Sequence, residues 1–378
     1  MEGAATGGGE QLKDPRAQGL AKILVGYSTK VSEGEVVSID GESAAEPLLA
    51  AVYEEVLKAG AHPILNMSLE GQSATYFKHA GDAQLDWVSP VAEWMVDNVD
   101  VRISVGASTN TRELSAVPPG RQTRRQAAMG ELMGRAMERS AEGSFRWCYT
   151  LFPTAAYASG AEMSLSDYED FYYGACLATD PEPLTAWERA SEETRRLAEW
   201  TEGHEEVHVT APGTDIRLGI AGRKFIPCVG DHNMPDGEFF TGPVEDSVEG
   251  EVTFHLPALI GGREVAGVRL RFEAGKVVDA SAERGEEYLS KLIDTDEGAS
   301  RLGELGIGTN YGIDRGTGEV LLDEKIGGTV HMALGRSYPE SGGLNESAVH
   351  TDLVCDLRQG GSIVVDGQEL SVDGKFVV

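Results

Sequence analysis

The hydrophobic period of this 378-residue chain changes once, near residue 204, and that change limits what the chain can fold into. Before it, short β-branched runs alternate with longer helical ones. Glu35-Val36-Val37-Ser38-Ile39 reads as a strand, and Leu48, Leu49, Val52, Val56 and Leu57 share one face of a helix from Ala44 to Ala59. Gly60 ends that helix and Pro63-Ile64-Leu65-Asn66 begins another strand. A further strand is expected from Asn98 to Val105, with helices over 121–142 and 185–202. Repeated strand–helix units call for a parallel sheet with crossover helices, an open α/β architecture. After His204 the runs become short and alternating between Gly turns, as in Val207-His208-Val209-Thr210 and Val268 to Phe272. Asp366-Gly367 and Asp373-Gly374 are hairpin turns by type. The second part is therefore β-rich, with helices expected over 285–294 and 297–304. A chain this long exceeds one typical core. The expected organisation is an α/β domain with an open, mostly parallel sheet over 1–205 and a β-rich α+β domain over 206–378.

Charge narrows the choice of partners. Sixty-two acidic residues face 32 basic ones, a formal net charge of -30, and only 10 of the basic residues are Lys. Such a surface repels phosphate backbones, so nucleic acid is not an expected partner. The same balance fits a protein of a salt-rich cytoplasm, where ions screen self-repulsion, or an ordinary acidic bacterial enzyme. No apolar run is long enough to span a membrane. Met1 to Gly9 is Gly- and Ala-rich without the basic and apolar regions of a signal peptide, and reads as a frayed tail. Cys148, Cys176, Cys228 and Cys355 are far apart, which suits reduced, mostly buried thiols in a cytoplasmic protein rather than a thiolate metal site.

The chemistry-bearing residues lie in the last 150 positions: Glu238, Glu304, Glu324, His331, His350 and Asp352. Residues i and i+2 of a strand share a face, so His350 and Asp352 would set an imidazole beside a carboxylate within an apolar strand. Four carboxylates and two histidines suffice for two divalent ions. Each residue also has a plainer reading. Glu238 follows Asp236-Gly237 and could be a surface turn residue; Glu304 follows a helix-like stretch; Glu324 could form a solvated pair with Lys325; His331 could be a satisfied core histidine. Dinucleotide binding is not indicated, because no GxGxxG follows a strand. His62, His79, His204, His208, His232 and His255 have no matching partners; His232, near Glu238, is the one that could lie behind a ligand.

Taken in order, the motifs resemble a known family. Pro235-Asp236-Gly237-Glu238-Phe239-Phe240-Thr241-Gly242-Pro243 is followed by Leu302-Gly303-Glu304-Leu305-Gly306, then 323–335, which runs from Asp323-Glu324-Lys325 to His331, then Tyr338-Pro339 and His350-Thr351-Asp352. This set looks like the aminopeptidase T / aminopeptidase S (PepS) family of thermophilic metallo-aminopeptidases, strongly over about 206–378 and in pattern before that. The resemblance implies that Glu238, Glu304, Glu324, His331, His350 and Asp352 hold two divalent ions (Zn, Co or Mn), with Glu304 contacting both. It makes Tyr338 the active-site tyrosine. It implies short peptide substrates and a homodimer enclosing the active sites. Two other functions remain open at this level. A single-iron dioxygenase that opens a hydroxylated pyridine ring would need only His331, His350 and Asp352. A non-catalytic peptide-binding protein would need none of them as ligands.

Overall fold

The computed structural model describes residues 14–260 and 263–378, so the tail expected at Met1 to Gly9 lies outside the described residues. The first half builds a parallel sheet from strands Val36–Glu42, His62–Ser68, Val101–Gly106 and Arg146–Leu151. His62–Ser68 is one edge, followed by Val36–Glu42, Val101–Gly106 and Arg146–Leu151. The other edge is a two-residue strand from the second half, Asn233–Met234, also parallel. The helix expected at Ala44 to Ala59 runs Glu46–Lys58 and buries Leu48, Leu49, Val52 and Val56. The 121–142 and 185–202 helices run Pro119–Ala141 and Pro183–Thr201. Each has Pro in its first turn, where the missing N–H costs nothing.

Apart from Asn233–Met234, the strands from Glu206 on pair antiparallel. An eight-stranded sheet and a five-stranded sheet enclose a second core of Val209, Ile216, Phe239, Phe254, Leu305, Met332 and Leu353 among others. Asp366 and Gly367 take positive φ at the hairpin joining Ser362–Val365 to Gln368–Val372, as an Asp-Gly turn should. Two features cross between the halves. Met234, Ile313, Leu321, Leu322 and Ile326 belong to the first core. Helix Pro183–Thr201 carries Trp187 in the first core and Leu197 with Ala198 in the second.

The five-stranded sheet is ordered His350–Asp356, Thr329–Gly335, Leu302–Gly308, Glu238–Thr241, Ile226–Cys228. Here one expectation fails. The helix placed over 297–304 is a single 3-10 turn, Gly298–Ser300, and Glu304 sits in strand Leu302–Gly308. The local sequence permits a helix, but pairing to strands on both sides outweighs that propensity. Gly303 is the extra residue of a bulge between Leu302 and Glu304, so Leu302 and Leu305 both reach the core. A Cβ there would lie 2.3 Å from the Gly335 carbonyl oxygen, which is why glycine occupies it.

Candidate metal centre

All residues of the two central strands are buried, and side chains alternate between the second core and the opposite face. On that opposite face the register sets Glu304 opposite Ala333, Gly306 opposite His331, Gly308 opposite Glu238 and Asp352 opposite Ala333. The polar side chains thus converge where their strand neighbours are small. Gly306 is the tightest case: a Cβ on it would fall 2.0 Å from Cε1 of His331. The imidazole lies across the glycine backbone.

The distances that follow are short. His331 Nε2 is 3.1 Å from Glu304 Oε1 and 3.4 Å from Glu238 Oε2. His350 Nε2 is 3.7 Å from Glu304 Oε2 and 3.6 Å from Asp352 Oδ2. Glu304 therefore faces one histidine with each oxygen. His350 Nδ1 donates to the Arg336 carbonyl at 2.8 Å, which leaves Nε2 as the acceptor facing the acids. Tyr338 stands at the rim, its ring centroid 5.1 Å from that of His350 and 5.5 Å from that of Phe240. All seven residues singled out in the sequence meet in this one place. Glu238 is no turn residue, being 5 % exposed at the start of a strand.

Sequence reasoning missed Lys325. The solvated Glu324–Lys325 pair weighed for these neighbours does form, at 2.8 Å, but it is not solvated: Lys325 is 2 % exposed. Its Nζ also reaches Glu238 Oε1 at 2.7 Å. Beyond it lie Asp236, fully buried, and Cys228. Periodicity could not find this lysine, although an ammonium placed next to a candidate ligand was a usable signal.

Electrostatics shows what the cluster wants. Burial works to discharge His331, but the carboxylates of Glu238 and Glu304 outweigh it and push the imidazole up to about 10. Burial also opposes ionisation of Glu324, yet the charges of Lys325 and His331 hold it down to about 2. Asp352 is pushed well up by burial and by the charge of Glu324. Burial, with Glu304 behind it, also raises the Tyr338 phenol, which is a proton donor at neutral pH. Buried oxygens Glu238 Oε2 and Asp352 Oδ1 accept no hydrogen bond. Acid oxygens buried without donors are costly unless a cation takes them. Glu304, His331 and Asp352 can bring one ligand atom each within 4.8 Å of one another. These residues therefore fit divalent metal, with mixed O/N ligation of the kind Zn, Co or Mn accepts.

Two cavities meet at the cluster. One of about 1340 Å³ is lined by Glu238, Glu304, Glu324, Tyr338 and His350, and by Met133, Met137 and Trp147 from the first half. His232 lines it too, paired with Asp231 at 3.2 Å and packed on Trp147, in the wall rather than behind a ligand. The other, of about 340 Å³, touches Glu324, His350 and Asp352 and continues past Leu256, Val354 and Glu319.

A model of the family described as thermophilic metalloprotease (M29) matches residues 13–375. The chain belongs to that family. It is 27% identical to aminopeptidase T of Thermus thermophilus, with 94% of each chain covered, and 26% identical to aminopeptidase PepS of Streptococcus thermophilus, with 90% of this chain and 91% of that protein covered. Its fold matches the solved wild-type AmpT of Thermus thermophilus with a TM-score of 0.83 at 26% identity, over 96% of this chain and 99% of that one. A 2,5-dihydroxypyridine dioxygenase from Pseudomonas putida shares the fold alone, with a TM-score of 0.60 at 14% identity over 96% and 97% of the two chains. Membership makes this metalloprotease relative a peptide hydrolase, and its family implies divalent metal. No helix among the described residues is long and apolar enough to cross a membrane.

Two outcomes follow from this geometry. Gly306→Ala drives His331 out of place, so metal affinity falls at least about tenfold in a calorimetric titration, and folding stability falls by about 1–3 kcal/mol in denaturant. Glu319 gives a pH effect. Burial, helped by the charge of Asp323, raises its carboxyl from 4.5 to about 7. Between those values the folded chain keeps a proton that the unfolded chain has released, so stability falls as pH rises through this window and is level above it. In chelator, moving from about pH 5 to about pH 8 should cost the wild type roughly 1–3 kcal/mol more than Glu319→Gln, read by urea unfolding.

Proposed function

We propose that this chain is a dinuclear metal-dependent aminopeptidase that releases N-terminal residues from short peptides. One observation carries the reading: within a metalloprotease family chain, four carboxylates and two histidines converge on a buried sheet face, and two of the acid oxygens have no donor. Glu238, Glu304, Glu324, His331, His350 and Asp352 would hold two divalent ions, Zn, Co or Mn. Such ions would supply Lewis acidity near neutral pH and a seat for the free α-amine.

The protein's own groups do the rest. Glu304, with one oxygen toward each histidine, would help hold the ions and is the group that carries a proton to the leaving amine. Tyr338, kept protonated by burial, donates its phenol hydrogen to the tetrahedral oxyanion. Met133, Met137 and Trp147 wall the larger cavity with apolar surface, which suits bulky or apolar N-terminal side chains. The negative field of the chain draws the cationic amino terminus of a peptide. The domain division near 205 gives the first half the task of walling this cavity and making subunit contacts in a cytoplasmic homodimer. Support for the dimer comes from exposed apolar groups: Leu65 and Met67 on the edge strand, then Leu69, Trp87, Val91 and Trp94, each 45 % to 69 % exposed. Apolar side chains of this size left exposed, two of them on a strand edge, suit a protein contact.

Metal content per chain, measured alongside hydrolysis of Leu-p-nitroanilide, tests the reading. About two ions per chain are expected, with activity abolished by chelation and reduced at least about a hundredfold in Glu304→Ala. One iron per chain and no peptidase activity would instead favour the dioxygenase chemistry of the fold relative. Light scattering on the eluting peak should give twice the chain mass of 40.4 kDa, and Trp94→Glu should shift it toward the monomer.

A further inference from the structure

The acid cluster contains two sets of residues that could each hold an ion, and only one of them has been used above. Glu304, His331 and Asp352 form the first; Cys228, Asp236 and Glu238 form the second, with one ligand atom from each also within 4.8 Å. The second set has the marks of an ion site. Asp236 is 1 % exposed, and its Oδ1 accepts no hydrogen bond. Its other oxygen accepts from the Gly230 amide at 2.9 Å. Glu238 stands between the two sets, with Oε2 near His331 and Oε1 turned the other way.

What Oε1 meets is not a free position but the ammonium of Lys325, at 2.7 Å. The same ammonium holds Glu324 at 2.8 Å, and its charge is felt by Asp236 and Cys228. It is a cation fixed by the backbone of its own strand connection and sealed from water. A divalent ion beside Cys228 would stand against this charge at short range. Holding Glu238 Oε1 and Glu324 Oε2 on one side, the ammonium leaves Glu238 Oε2 to face His331.

We propose that Lys325 is a positioning residue that takes the place of an ion at the Cys228, Asp236 and Glu238 set. It thereby confines metal to the histidine side and keeps the thiol uncoordinated. This rests on the metal-centre reading above. It has a consequence for metal choice: thiolate ligation would favour soft ions, and Lys325 removes that option, leaving an O/N site.

Cobalt(II) titration of the full chain tests this, because a thiolate on cobalt adds a near-ultraviolet charge-transfer band that O/N ligation lacks. The wild type should bind cobalt without that band, and Cys228→Ala should bind the same number of ions with the same affinity. In Lys325→Met the band should appear and affinity at the histidine side should fall about 10- to 100-fold; Lys325→Arg should restore wild-type behaviour, and Lys325→Met with Cys228→Ala should lose the band. A thiolate band in the wild type, or an ion lost in Cys228→Ala, would overturn the inference even if Lys325→Met does not fold. So would a folded Lys325→Met chain with wild-type affinity and no band. A wild type that binds no ion would overturn the metal-centre reading and this inference together.

Discussion

Burying this much negative charge is the constraint around which the molecule is arranged. Asp236, Glu238 and Glu304 are each at most 5 % exposed, and the side chains of Asp352 and Glu324 are 9 % and 19 % exposed. Carboxylates removed from water must find cations or protons. The chain answers with Lys325, with His331 raised by its acid neighbours, and with oxygens left open toward metal. Each answer requires a particular place in the fold. Lys325 must lie beneath the sheet face, His331 must lie flat on a glycine, and both histidines must point toward Glu304.

The sheet meets those requirements with small residues. Gly306, Gly308, Ala333 and Gly335 make up much of the site face beside the ligands, while the other face of the same strands carries Leu305, Ile307, Met332 and Leu334 into the second core. One set of strands thus supplies both a rigid hydrophobic backing and a shallow floor on which long polar side chains can lie. Rigid strands place ligands more precisely than loops do. None of the candidate ligands comes from the described residues of the first half, but its long helix and the strand bearing Trp147 line the larger cavity. Helix Pro183–Thr201, anchored in both cores, holds the two halves in register.

Much of this was legible before any coordinates. The strand–helix alternation around Leu48, Val52 and Val56 became a parallel sheet, and Asp366-Gly367 became a hairpin turn, because both signals are local. The ordered motifs around Glu238, Glu304, His331 and His350 pointed to residues that do come together. The stretch 297–304 departs from the helix its sequence suggests because its end is set by strand partners about thirty residues on, Ala333 and Leu334, and not by its own propensity. A solvated Glu324–Lys325 pair stays open at the level of sequence because nothing in Asp323-Glu324-Lys325 shows which side chain turns inward.

The sequence by itself determined the two hydrophobic periods, the turn positions and the identity of the chemistry-bearing side chains, since each depends on residues within a few positions of one another. The tertiary structure alone decided which oxygen of Glu238 faces Lys325 and which faces His331, why Gly306 must lack a side chain, and where Asp236 and Cys228 stand. Those are contacts across strands up to about a hundred residues apart, and only the packed sheet brings them within the few ångströms over which charge and volume act.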